Sequence, residues 1–267
     1  MTEPLHIPSP DTPAENRKHL FSIRTDPAKQ AQKELQQLAQ QLLPHYGEEG
    51  WSRHSLVTSN ITPVSRLLYL DNLYKQIVDV PGVICEFGVH WGATLTQLIN
   101  LRSIYEPFNH SRVVYGFDTF EGFPSIHAKD SAGGEYRVGD LATLPRYEDI
   151  LDRILSLIET FPPLSHVKKF ELVKGDVCNT IDKWLDDNPH AVISLAIFDM
   201  DLYEPTKYAL ERIAPRLTRG SILAFDELNC MTFPGETQAL DEVFGLNKLR
   251  LKRSPLHPYC AWAVYGE

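Results

Sequence analysis

From about residue 82 to the end, short apolar runs alternate with longer stretches whose apolar residues recur every three or four positions. Runs of this kind bounded by Gly or Pro read as buried strands, and the longer periodic stretches read as helices. The predicted strands are "GVICEFGV", "RVVYGFDTF", "KKFELVKGDV", "AVISLAIFDM", "SILAFDEL", "LRLKRS" and "CAWAVYG". The helices between them are "ATLTQLINLRSIY", "RYEDILDRILSLIETF", "TIDKWLDD", "TKYALERIAPRL" and "ETQALDEVFG". Upstream, residues 27 to about 43 and 63 to about 78 also carry helical spacing. In the first of these, Leu35, Leu38, Leu42 and Leu43 form one apolar face. That face either packs on the domain or a second subunit, or forms a lid over a ligand. Residues 1 to about 18 are polar and proline-rich and read as loosely attached.

Strands alternating with helices imply a parallel sheet covered on both faces. The last two strands are joined only by "SPLHPY", too short for a parallel crossover, so they are expected to pair antiparallel. The pattern therefore predicts an α/β fold with seven strands, mostly parallel with an antiparallel end. That is the sheet of class I S-adenosylmethionine (SAM) methyltransferases, Rossmann-like, better than that of a dinucleotide-binding domain. Residues 1–60 form an N-terminal extension and residues 61–267 the main domain.

Composition narrows the possible partners. At 267 residues, with 43% apolar and 23% charged residues, the chain is long enough for a substantial core. A formal net charge of −9 argues against binding nucleic acid by phosphate neutralisation. Cys85, Cys178, Cys230 and Cys260 are scattered and form no Cys-x-x-Cys pair, which suits a reducing compartment. No apolar run reaches the ~18 residues that cross a bilayer, and the N-terminus does not read as a signal peptide. A cytoplasmic protein with no membrane partner is the expectation.

Ligands of open parallel sheets bind beyond the carboxyl ends of the strands. The first such end, "CEFGVHWGAT", carries Glu86, Gly88 and Gly92 as E-x-G-x-x-x-G. The dinucleotide fingerprint G-x-G-x-x-G is absent, and no P-loop lysine follows. A glycine turn without phosphate-binding spacing suits a phosphate-free ligand such as SAM, with Glu86 near its amino group. The second strand ends in Asp118, placed to accept from ribose hydroxyls, and the third leads to Asp176, placed to reach the adenine amino group. Each acid can equally cap a loop or helix.

Two later strands end in carboxylates: Asp199 and Asp201 in "FDMDLYEP", then Asp226 and Glu227 in "FDELN". Like charges this close raise one another's pKa or call for a cation, and hard oxygen donors suit Mg²⁺. The competing reading is that Asp201 and Asp226 cap the helices that follow. His90, Trp91, Tyr203, Phe120 and Phe123 can line a cleft or simply pack.

From about Val83 to Gly245 the chain resembles the macrocin O-methyltransferase (TylF-type) family. The pieces that carry the resemblance are "CEFGVHWGAT", "VYGFDTFEGFP", "VKGDVCNT", "FDMDLYEPT", "ILAFDELN" and "ALDEVFG". The resemblance implies methyl transfer from SAM to a hydroxyl of a sugar or another polar natural product, assisted by Mg²⁺. It implies metal ligands Asp199, Asp226 and Glu227, Asp201 as general base, and SAM contacts from Glu86, Gly88, Asp118 and Asp176. The family usually ends the fifth strand in Asp-Asp, whereas this chain has Asp226-Glu227. Two alternatives stay open: a metal-independent enzyme using Asp201 or His90, and an inactive SAM-binding partner subunit. Assembly into a homo-oligomer through the N-terminal helix is a further expectation.

Overall fold

The computed structural model describes residues 25–130 and 136–267. It divides at Leu67/Leu68 into two compact units. The expectation for residues 1–18 lies outside the described residues. The smaller unit holds helix α1 (Asp26–Leu42), the short helix α2 (Trp51–His54) and the first turns of α3 (Ile61–Ile77). The predicted first helix is present, with Thr25 accepting from the Ala28 N–H at its start.

The larger unit is built on seven strands: β1 (Val83–Phe87), β2 (Val114–Asp118), β3 (Phe170–Lys174), β4 (Ile193–Phe198), β5 (Leu217–Phe225), β6 (Lys252–Arg253) and β7 (Ala261–Val264). Their order is β3-β2-β1-β4-β5-β7-β6. The first five run parallel, while β7 lies antiparallel to both β5 and β6, as the short connection requires. Helices α4 (Ala93–Tyr105), α5 (Tyr147–Ile158), α6 (Val177–Asp187), α7 (Tyr203–Ile213) and α8 (Gly235–Phe244) complete the alternation.

Side chains of a strand alternate between faces, so each strand feeds two cores. Ile84, Leu195, Ile197, Ile222 and Ala224 enter one core with residues of α3, α4 and α5. Cys85, Phe87, Ala196, Phe198, Leu223 and Phe225 enter the other with residues of α6, α7 and α8. Ile193 breaks the parity of β4 because the register shifts between it and Leu195. Across that shift β5 begins at Leu217, paired with Ile193, four residues before the expected strand. The Ser221 hydroxyl donates to the Ile193 carbonyl at 2.7 Å across the irregularity.

One row of the sheet sets the level of everything above it. Phe117, Phe87, Phe198 and Phe225 are register partners on β2, β1, β4 and β5. Their rings stack in sequence with centroids 4.8, 5.0 and 5.3 Å apart. The next residue on each strand is Asp118, Gly88, Asp199 and Asp226. At the other end of β1, the buried Arg112 guanidinium donates to the Val80 and Gly82 carbonyls, the Ser194 hydroxyl and the Glu106 carboxylate.

Candidate active site

At the carboxyl end of β1 the backbone turns at Gly88, where φ is +94°. A Cβ there would stand 2.0 Å from the Asp199 carbonyl oxygen, so only glycine lets the turn lie against the end of β4. Gly92 closes the turn at φ +79°, with Leu151 so near that a Cβ would meet it at 2.5 Å. Glu86, on the last turnward face of β1, is buried.

Asp118 is part of the same construction. Its Oδ2 accepts from the Val89 and His90 N–H groups, both at 2.7 Å, and its Oδ1 accepts from Phe120 at 2.6 Å. His90 itself takes a left-handed φ of +50°. The carboxylate thus holds the shape of the glycine turn, and of its roughly four lone-pair positions about one is left for a ligand. Asp176 is the N-cap of α6, accepting from Cys178 N–H at 2.9 Å and bonding the Cys178 thiol, so the capping reading applies to it. That cap starts α6 three residues ahead of the apolar spacing.

The four later carboxylates do share this rim. Asp199 N–H donates to the Phe87 carbonyl and Asp226 N–H to the Phe198 carbonyl, at 2.8 and 3.0 Å, so the two acids leave neighbouring strands side by side. Asp201 follows in a left-handed conformation, φ +64°, and is buried. Burial, and then the charges of Asp199, Glu227 and Asp226, push its carboxyl well above the usual carboxylate range. Asp201 does not cap α7. Instead Asp130, from the loop after β2, accepts the Tyr203 N–H at 2.5 Å and the His127 N–H at 2.6 Å. Nor does Asp226 cap α8; its Oδ1 accepts from the Cys260 thiol at 3.3 Å. The Glu227 side chain bonds the Cys230 thiol, whose pKa rises mainly through burial.

A fifth acid, Glu236 at the start of α8, joins them. It is fully buried, and its Oε1 accepts the Glu227 N–H at 2.9 Å. Burial foremost, and the charges of Asp226, Asp201 and Asp199, hold its carboxyl well above the ordinary glutamate range, against the lowering effect of the Glu227 N–H. An acid in the first turn of a helix ordinarily lies in water, so nothing in "PGET" announces burial. Asp130 is equally silent in sequence, sitting in a polar loop.

The donor set has the chemistry of a site for a hard divalent ion: carboxylate oxygens, two of whose groups have pKa values raised first by burial and then by their neighbours' charges. Among the described residues, no three His, Cys, Asp or Glu side chains stand as a ready metal-holding group. The acids match such an ion in donor type and strand-end placement, but among the described residues they do not converge as a donor group.

The aromatic candidates resolve differently. Phe120 belongs to the core, and Phe123 is buried with its edge to Tyr136. The Tyr203 hydroxyl donates to Glu242 at 2.6 Å, and its ring is flanked by His127 and Lys129. Trp91 is the exposed one, with Tyr147 edge-on at 4.7 Å. Beyond the rim, the Tyr136 hydroxyl donates to the Thr232 carbonyl at 2.9 Å and its ring stacks on Phe233 at 4.8 Å. The loop after β2 is thereby joined to the loop after β5. Among the described residues no helix is long and apolar enough to cross a membrane.

Comparison with known proteins points the same way. Residues 13–249 match the family described as macrocin-O-methyltransferase (TylF). A crystal structure of CalS11, a calicheamicin methyltransferase, is 38% identical over 92% of this chain and 96% of its own, with a TM-score of 0.87. An apo structure of CalS11, described as a TDP-rhamnose 3'-O-methyltransferase of calicheamicin biosynthesis, is 36% identical over 92% and 98%, with a TM-score of 0.80. The O-methyltransferase NovP shares the fold at 18% identity over 75% and 79%, with a TM-score of 0.60. No curated protein sequence matches.

Proposed function

This chain belongs to the macrocin-O-methyltransferase (TylF) family and is a SAM-dependent methyltransferase, and we propose that it methylates a hydroxyl group of a nucleotide-linked or natural-product sugar. The observation that carries this reading is the burial of Asp201 beside the glycine turn, with a carboxyl raised by its acidic neighbours. A carboxylate with an elevated pKa is a stronger base than a free one, and Asp201 follows the carboxyl end of β4, the side of an open parallel sheet on which ligands bind.

In this reading Glu86, Gly88, Gly92, Asp118 and Asp176 line the place of SAM. Gly88 keeps the floor open, Asp118 shapes the turn and offers its remaining lone pair, and Asp176 stands at the start of α6, toward the adenine end. SAM supplies the methyl group: the new O–C bond forms as the C–S bond breaks, the electron pair goes to sulfur, and the product sulfide is neutral. Asp201 takes the hydroxyl proton. No acid is needed for the leaving group, so the protein's remaining work is to orient the acceptor and exclude water. Asp199, Asp226 and Glu227 would hold a divalent cation. Such an ion, when bound, lowers the pKa of a nearby hydroxyl.

The test is incubation with SAM and a panel of TDP-deoxysugars and glycosylated natural products, read by mass spectrometry for one added methyl. Methylation of simple phenols with no transfer to any sugar would overturn the acceptor class. Asp201→Asn should lower kcat by about 10²–10⁴-fold and leave SAM affinity unchanged; full activity removes Asp201 as base. A metal-independent variant of this reading uses Asp201 or His90 as base. Activity that survives thorough EDTA treatment selects it; activity restored only by Mg²⁺ rejects it.

A further inference from the structure

We propose that residues 25–64 form the contact surface of a dimer of this chain, with the leucine stripe of α1 packed on the same stripe of a second copy. The inference is independent of the acceptor and of any cation. Among the described residues from 25 to 68 not one side chain is buried; the first is Tyr69 of α3. Yet the segment is rich in large apolar residues. Leu38 and Leu42 of α1, Trp51 of α2, and Leu56, Val57 and Ile61 after it are all exposed, Val57 at 70% and Ile61 at 85%. The short helical turn Ser55–Thr58 lies against α1, so these side chains belong to one small unit. Its internal links are peripheral. The Asn60 amide donates to the Gln32 carbonyl at 2.8 Å on the exposed side, and the Tyr46 and His54 rings stand 5.8 Å apart.

A helix of this length is marginal in water unless one face is packed. A segment of about 40 residues without a core does not offset its own conformational entropy. The apolar face therefore needs a cover from outside the unit, and three features favour an identical chain. Residues 35–47, "LQQLAQQLLPHYG", carry no Lys, Arg, Asp or Glu, and residues 50–65 carry only Arg53. A partner recognised by charge, or an anionic membrane surface, has little to hold there, whereas two copies meet without like-charge repulsion. Second, leucines at 35, 38 and 42 form a stripe that is complementary to itself about a two-fold axis. Third, the large apolar side chains exposed between Leu38 and Val64 present on the order of 800 Å², the share each partner gives to a stable interface.

Sedimentation equilibrium of the full chain tests this, together with hydrogen exchange of the α1 amides over a range of protein concentration. The expected result is a species of twice the 30.4 kDa chain mass, with α1 amides that exchange more slowly as the dimer fills. The double variant Leu38→Glu, Leu42→Glu should raise the dissociation constant about 100-fold or more, with SAM affinity as in the wild type. The control Ile104→Glu, Phe161→Glu alters exposed apolar residues of the larger unit and should leave the assembly unchanged. A wild type that stays monomeric overturns the proposal, and protection of α1 on adding SAM then identifies the face as a lid. A dimer that survives the α1 variant, or dissociates only in the Ile104 and Phe161 variant, has its contact elsewhere and overturns it equally. Should the α1 variant fail to fold, exchange in the wild type decides: α1 protection that stays constant while the dimer dissociates on dilution overturns the proposal.

Discussion

Gly88 ties the two halves of the site together more directly than any acid does. Its φ of +94° alone disfavours other residues, and the 2.0 Å approach of the Asp199 carbonyl forbids a Cβ outright. The glycine turn and the acid-bearing end of β4 therefore cannot shift independently. Gly88→Ala should cost at least about 1–2 kcal/mol from backbone handedness, with the clash in addition. Urea unfolding measures that loss, and calorimetry should show SAM binding weakened as the turn is forced open. Wild-type affinity for SAM in this variant would separate the turn from the cofactor. Asp118 shows why single residues were only half legible. An acid at that position reads as a ribose partner, yet two backbone N–H groups of the turn and one of its own loop already occupy it. A glycine-rich turn exposes such donors, and a nearby carboxylate satisfies them before any ligand arrives.

The strands bring these residues to one level, and the phenylalanine row explains how. In a sheet with both faces buried, apolar alternation specifies each face but allows slips of two residues along the strand. Four stacked rings at adjacent register positions make one alignment better than its neighbours. Phe198 sits between two partners in that row. Phe198→Ala should lower stability by about 3–5 kcal/mol, the range for a buried phenylalanine truncation. Its effect should extend to the site, because Asp199 follows it directly. Chemical denaturation gives the first quantity and SAM titration the second; a loss below about 1 kcal/mol would show that the row does not set the register. Element identities were readable because apolar spacing differs between helix and strand. Their ends were not, since α6 starts at an Asp176 cap and β5 starts ahead of its apolar run at a register shift. Caps and shifts depend on partners elsewhere in the chain.

Across the larger unit, topology was legible and the joining of loops was not. Alternating elements and one short final connection suffice for a mostly parallel sheet with an antiparallel end, because crossover geometry leaves little choice. Which loops clasp the rim depends on polar contacts between segments far apart in sequence, such as Asp130 to Tyr203 and Tyr136 to Thr232. One of these clasps has a measurable pH signature. Glu242 of α8 binds Lys129 of the loop after β2, Lys207 of α7 at 2.8 Å and the Tyr203 hydroxyl at 2.6 Å. The Lys129 bond first, then Lys207 and Tyr203, lower its pKa to about 2. A depressed carboxylate pKa stabilises the folded state above the unfolded group's value, and that contribution disappears as pH falls toward the folded value. The thermal midpoint of Glu242→Gln should therefore lie below that of the wild type near neutrality. The gap should narrow as pH drops from the ordinary glutamate range toward about 2. Because the clasp is solvent-exposed, added salt should shrink the gap at neutral pH as well. Differential scanning calorimetry of both proteins across this range is the measurement. A gap that stays constant with pH would mean that Glu242 acts through packing rather than charge, and that the loop after β2 is held by Asp130 without it.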